Sequence, residues 1–302
     1  MHKKRVLIVI FLILLFTILF FKIFLAEKQY KVENNSLYYS LNRGVPEYSM
    51  DLYEKNESYN IYKISFYSRD FLNQKTRIYG LFYMPINKTN VPGMIFLPAG
   101  AGTKESRDEI SSFIAKQGYG VLTIDQRGIG ETGGTYLNFN EDYNIFLKGN
   151  EPIQHLSVYD ALRTFDVLRS MKNIDKENIG ISGESMGARY AIIAAAIDKR
   201  LKGVIAISAS GFHITRNSAS DLKQFSYLTS IDPDNYISKI SSNKVFMIHC
   251  VNDSVILLKD AQDTFNLAQE PKKLTIFENC NHGYSSNMNN ELKEDLSALF
   301  DK

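Results

Sequence analysis

From about residue 93 onward the chain exchanges short apolar runs for helical stretches at regular intervals. The runs at 93–97, 120–124, 179–181, 203–208, 244–249 and 273–277 are near-continuous in apolar residues, which predicts strands covered on both faces. Helical patterns fall between them, at 104–117 (stopped by Gly118), at 156–171, in an alanine-rich stretch after 185, and from Asn290 to the end. Strand and helix in alternation predict an α/β fold, a mostly parallel central sheet with helices on both faces. Two β-rich stretches come first, at 61–67 and at 77–84, the second ended by Pro85. Residues 136–151 read as a loop. Residues 211–242 are mixed and polar, either a small lid over a pocket or a long connection. Residues 27–55 are polar, tyrosine-rich and without period, and read as a juxtamembrane linker ahead of one domain at 56–302.

The N-terminus follows another pattern. Residues 6–26 are apolar apart from Thr17 and Lys22, a span of 21 residues. That length crosses a hydrocarbon core of about 30 Å. Lys3, Lys4 and Arg5 precede it and favour a cytoplasmic N-terminus with the remainder on the outer face. A cleaved signal peptide is the rival, but it wants small residues before the cut, and Phe24 and Leu25 stand before Ala26. The expectation is therefore an uncleaved signal anchor over 1–26, one transmembrane helix holding the domain to the cell membrane. Setting aside Lys3, Lys4, Arg5 and Lys22 leaves 31 of the 35 basic residues against 33 acidic ones, a net of −2. The mild basicity belongs to the anchor, and no nucleic-acid partner is indicated.

Candidate chemistry centres on 178–196. A short apolar run passes through Gly183-Glu184-Ser185-Met186-Gly187 into the alanine-rich helix. The bare Gly-x-Ser-x-Gly pattern arises by chance in roughly one such chain in ten, so its weight comes from the strand before it and the helix after it. A serine at so tight an apex needs small neighbours two places away, and the helix start aims N–H groups at it.

With three further pieces the chain resembles an α/β-hydrolase over about 56–302. The strand at 120–124 runs into Asp125-Gln126-Arg127-Gly128-Ile129-Gly130, similar to the family's D-x-R-G-x-G. Asp253 follows one core strand and His282-Gly283 follows the last, in the family order Ser, Asp, His. The resemblance implies Ser185 as nucleophile, His282 as general base and then acid, and Asp253 orienting the imidazole. It implies an oxyanion hole of backbone N–H groups from Met186 and the loop Ala99, Gly100, Ala101, although Pro98-Ala99 replaces the common His-Gly. His249 reads as a packed strand residue; His155 and His213 match no motif. Asp232 and Asp234 are reserve acids, and Glu184 reads as a hydrogen-bonding group beneath the turn. Neighbouring acid and base strands would also bring Cys250 and Cys280 together, for a disulfide in an oxidising compartment or as two buried small residues.

The nearest resemblance is to dienelactone-hydrolase-like and prolyl-oligopeptidase-like esterases and peptidases. Serine at the elbow speaks against a true dienelactone hydrolase, and the lack of a preceding propeller against an oligopeptidase. The expected activity is that of a serine carboxylic ester hydrolase or deacylase working through an acyl-enzyme on a small-molecule acyl ester. A peptidase or amidase acting on short peptides is the alternative, and a non-catalytic binding module on the same fold the third reading. No phosphate loop, dinucleotide fingerprint or metal-ligand cluster stands in the sequence, so no cofactor and no metal is expected.

Overall fold

Residues 30–55, read above as a linker, instead form three strands: β1 (Tyr30–Glu33), β2 (Ser36–Tyr39) and β3 (Tyr48–Lys55). This is a correction, and its cause is local. β1 and β2 pair as a small antiparallel ribbon, and Leu37 is buried with its amide donating to the Tyr236 hydroxyl at 2.7 Å. Arg43, past the ribbon, is buried and clamps Asp166 at 2.8 Å and Asp198 at 2.6 Å. β3 is an edge strand with nearly every side chain in solvent; Tyr48, Met50 and Leu52 alternate with Ser49 and Asp51, a short period that the polar residues around it masked. The computed structural model describes residues 30–240 and 243–301. The expected anchor lies outside them, and among the described residues no helix is long and apolar enough to cross a membrane.

β4 (Tyr59–Tyr67) and β5 (Arg77–Pro85) continue the antiparallel edge. The parallel strands are β6 (Val91–Leu97), β7 (Gly120–Ile124), β8 (Ile174–Glu184), β9 (Gly203–Ile207), β10 (Lys244–Cys250) and β11 (Lys272–Phe277). The nine-stranded sheet runs β11-β10-β9-β8-β6-β7-β5-β4-β3. Its helices are α1 (Asp108–Lys116), α2 (Phe139–Leu147), α3 (Ile153–Ser170), α4 (Met186–Ile197), α5 (Leu222–Ser230), α6 (Leu258–Leu267) and α7 (Asn289–Leu299).

Both faces are covered, which is why the core strands lack a polar side. Met94 and Phe96 of β6 pack in one cluster with Ile110 and Ile114 of α1 and Leu292 and Leu296 of α7. Ile95 and Leu97 join the opposite cluster, with Phe165 and Leu168 of α3 and Ile192 of α4. β6 lies between β7 and β8, so the chain leaves β6 toward one side of the sheet and leaves β8 toward the other. Ligands of open α/β sheets bind at such a reversal, outside the carboxyl ends of the strands.

Two further elements differ from the expectation. The loop at 136–151 holds α2, started by Asn138, whose side chain accepts from Asn140 and Glu141 amides while Glu141 returns the bond. The 211–240 stretch is no bare connection. α5 packs on α2 through Tyr227, whose ring lies 5.5 Å from those of Tyr143 and Phe146.

Candidate active site

Ser185 sits between β8 and α4 with φ 53° and ψ −118°, a conformation that a residue bearing a side chain rarely adopts. The surroundings enforce it. The Ser185 amide donates to Ile207 O at 2.9 Å, pinning the turn to the end of β9. A Cβ on Gly183 would stand 2.5 Å from the Gly187 carbonyl carbon. One on Gly187 would stand 2.2 and 2.3 Å from the carbonyl oxygens of Leu97 and Pro98. Both positions therefore admit only glycine, and the second places the loop after β6 across the first turn of α4.

That loop is the one from which the sequence led us to expect oxyanion donors. Gly102 donates to Ala99 O at 3.0 Å, closing a turn with Ala101 at φ 60°. Gly100 lies against the Met186 side chain. The amides of Ala99, Gly100 and Ala101 make no hydrogen bond among the described residues, and the loop lies beside the start of α4, which carries positive partial charge. Such donors stabilise an oxyanion better than water does, because they are already oriented.

Asp253 follows β10 and is buried, and His282 follows β11. His282 Nδ1 donates to Asp253 Oδ2 at 2.8 Å and Oδ1 at 3.0 Å, which leaves Nε2 without a partner among the described residues. Burial works against the Asp253 charge. The Ile256 amide, His282 and the Val255 amide outweigh it, and the carboxyl titrates below the ordinary aspartate range. An imidazole so held presents Nε2 as an acceptor for a hydroxyl proton.

Glu184 joins this pair to the serine turn. Its buried carboxylate pairs with Arg107 Nη2 at 2.9 Å and accepts from the Tyr284 amide at 3.3 Å. A Cβ on Gly283 would stand 2.5 Å from Glu184 Oε1. The Gly283 amide donates to Ser208 Oγ at 2.9 Å. Burial raises the Glu184 carboxyl above its ordinary range, against the pull of Arg107, the Tyr284 amide and His282. The residue thus docks the histidine loop on the elbow, the role its position suggested. Arg107 and Ser208 were not singled out from sequence, and a lone arginine or serine carries no signal of such a part.

The comparisons with known proteins bear on this geometry. The family model described as "Dienelactone hydrolase family" matches residues 78–299. The chain belongs to that family. It is 33% identical over 100 residues to YtaP of Bacillus subtilis (strain 168), covering 33% of this chain and 31% of that one. It is 25% identical over 146 residues to the acetyl esterase Axe7A of Xylanibacter ruminicola, covering 44% of this chain and 33% of that one. Each match spans about a third of the relative's own length. The fold is shared with an acetyl xylan esterase from Paenibacillus sp. R4, TM-score 0.70 at 18% identity, covering 85% of this chain and 90% of that one. The α/β-hydrolase fold is therefore the fold of this member of the dienelactone hydrolase family.

In this family member the other sequence candidates have different tasks. Asp125 is buried and accepts from the amides of Lys104 and Glu131 and from Lys104 Nζ, at 2.8 to 2.9 Å. A Cβ on Gly130 would stand 2.4 Å from its carboxylate. Arg127, wholly buried, forks onto Asp160 at 2.7 and 2.8 Å and also bonds Thr76 Oγ1 and Arg69 O. The D-x-R-G-x-G stretch is scaffold. Asp232 caps a turn, accepting from the amides of Phe212, Ile214 and Asp234. Asp234 accepts from His213 Nδ1 at 2.6 Å and Thr264 Oγ1 at 2.7 Å. His249 is buried in β10 and donates Nε2 to Ile256 O at 2.9 Å. His155 is buried between Tyr30 OH and Ser230 Oγ, and burial drives its pKa down to about 3.

His213, Asp260 and Asp263 bring three ligand atoms within 4.8 Å of one another, but the Lys259 ammonium already pairs with Asp263. Cys250 and Cys280 are joined in a disulfide with Cα atoms 5.6 Å apart. It ties the strand that leads to the acid to the loop that carries the base.

Proposed function

We propose that the protein is a membrane-anchored serine ester hydrolase acting through an acyl-enzyme. The observation that carries this reading is the strained Ser185 turn, with the His282–Asp253 pair docked beside it through Glu184. Ser185 Oγ gives its proton to His282 Nε2 and attacks the ester carbonyl. The amide of Met186 and one from Ala99, Gly100 or Ala101 hold the oxyanion. His282 then protonates the leaving alcohol, and a water repeats the sequence to free the acid. Asp253, kept ionised, stabilises the imidazolium that forms each time. An acetyl esterase among the relatives and acetyl xylan esterases among the similar folds support an ester of a small acyl group.

The apolar span at 6–26 with its basic cap supports anchorage in the cell membrane with the domain outside. α2 and α5 are proposed to form the lid that shapes the pocket.

Labelling of the full chain with a fluorophosphonate probe tests the nucleophile. Labelling that vanishes in Ser185→Ala, with turnover of p-nitrophenyl esters graded in acyl length, is expected. Labelling that persists in Ser185→Ala would refute the assignment. Protease added to intact cells should digest the domain; full protection, or release of a soluble form starting near Glu27, rejects the outward-facing anchor.

A further inference from the structure

Arg189 is the one charged side chain on α4, in a helix otherwise made of apolar residues and Gly187. It lies one turn past Ser185, its amide donating to Ser185 O at 3.1 Å. Helical side chains lean toward the N-terminus, so the guanidinium reaches back toward the serine turn. There Nε donates to Ser210 O at 3.1 Å, and the guanidinium stacks 4.1 Å over the Phe212 ring. Both residues belong to the segment leaving β9, whose last carbonyl holds the Ser185 amide. The group therefore stands at the sheet end where the reacting residues converge.

What it lacks is a counter-charge. Among the described residues no carboxylate pairs with Arg189, whereas Arg43 and Arg127 each grip one or two. Asp232 and Asp234 act on it only from a distance, and their oxygens are committed to the amides of Phe212, Ile214 and Asp234, to His213 and to Thr264. Burial lowers its pKa, so the fold bears a cost for holding the cation there. Nη1 and Nη2 have no partner among the described residues and form a fork, the geometry that matches two oxygens of an anion.

We propose that Arg189 binds an anionic oxygen group of the substrate, a carboxylate or a phosphate, beside the ester that Ser185 attacks. The inference rests on the reading of Ser185 as nucleophile and narrows the substrate to acyl esters that carry a second, charged end.

Calorimetric binding of succinate and of inorganic phosphate to the full chain tests it. One of the two should bind the wild type, which names the source, and Arg189→Met should weaken that binding by at least about tenfold. In kinetics, the kcat/KM ratio of p-nitrophenyl hemisuccinate to p-nitrophenyl butyrate should fall by a similar factor, through KM. Should Arg189→Met fail to fold, judged by its melting curve, Arg189→Gln keeps a donor for Ser210 and carries the same comparison. If neither anion binds the wild type, or the neutral variant binds as tightly, the proposal is overturned. Loss of the hydrolase reading has a separate signature: butyrate turnover that is absent, or that survives Ser185→Ala, while the binding result still decides Arg189.

Discussion

Two glycine-rich turns leave strands of the same sheet and do opposite things. The turn after β7 is closed: Asp125 and Arg127 are buried, and their polar atoms are satisfied by Lys104, Glu131, Asp160, Thr76 and Arg69. The turn after β8 is open: Ser185 Oγ has no partner among the described residues, and Arg189 has no counter-ion. Both turns need glycine because another atom stands where a Cβ would go. In the first that atom is its own carboxylate; in the second it is the backbone of the loop with the candidate oxyanion donors. A strained turn whose polar groups are all satisfied is architecture, and one whose polar groups are left free is a place to put a substrate.

The comparison breaks if the open turn can be altered without loss of turnover. Ser185→Ala and His282→Ala should each lower kcat by about 10⁴–10⁶-fold in ester hydrolysis, whereas the Ser185→Ala unfolding free energy should change by less than about 0.5 kcal/mol. Asp253→Asn should be somewhat milder, about 10⁴-fold, because the imidazole loses its orienting acceptor. Asp232→Asn is the control: if that variant were the inactive one and Asp253→Asn turned over normally, the acid assignment would fall.

The closed turn should show the reverse profile. Arg127→Met leaves Asp160 as an unpaired buried charge and should cost about 3–5 kcal/mol in denaturant unfolding, with kcat per folded molecule kept. The double variant Arg127→Met/Asp160→Asn should recover part of that loss.

The smallest effect is in pH. The Asp253 carboxyl has a folded pKa below its ordinary 3.8, so its ionised form favours the folded state. That contribution is whole above 3.8 and drains away as pH falls through the lower folded value. Urea unfolding of wild type and Asp253→Asn should thus differ by a constant amount down to about pH 4 and converge below it. A gap that widened toward acid would have the wrong sign.

Much of this was legible in the sequence, for physical reasons that differ by region. The inner parallel strands stood out because a strand covered on both faces must be apolar, as in Met94 to Leu97. Ser185, Asp253 and His282 stood out because each follows a strand within a few residues, so their chain positions are tied to the strand pattern. β3 left only the short alternation of Tyr48, Met50 and Leu52, because an edge strand in solvent has no buried face to extend it. α6 was missed because its buried positions are the small residues Ala261 and Thr264, which make no apolar stripe. α2 did leave a sign, the Asn138–Glu141 capping pair, which the polar sequence around it masked. Arg189 was overlooked although a lone arginine in an alanine-rich helix is itself unusual. Its missing counter-ion is a three-dimensional fact.

The Cys250–Cys280 bond closes a ring of chain with a sequence separation of 30, and α6 and β11 lie inside it. Asp253 stands three residues from one end of that ring and His282 two beyond the other. The acid thus lies inside the ring and the base just outside its closing cysteine, so both sit at one covalent junction that the serine turn does not share. Local opening is then expected to separate Ser185 from the histidine loop along the Glu184 contacts while the His282–Asp253 pair stays together. In hydrogen exchange the amides of Val255, Ile256 and Gly283 would share one opening rate in the oxidised protein and separate once the bond is reduced.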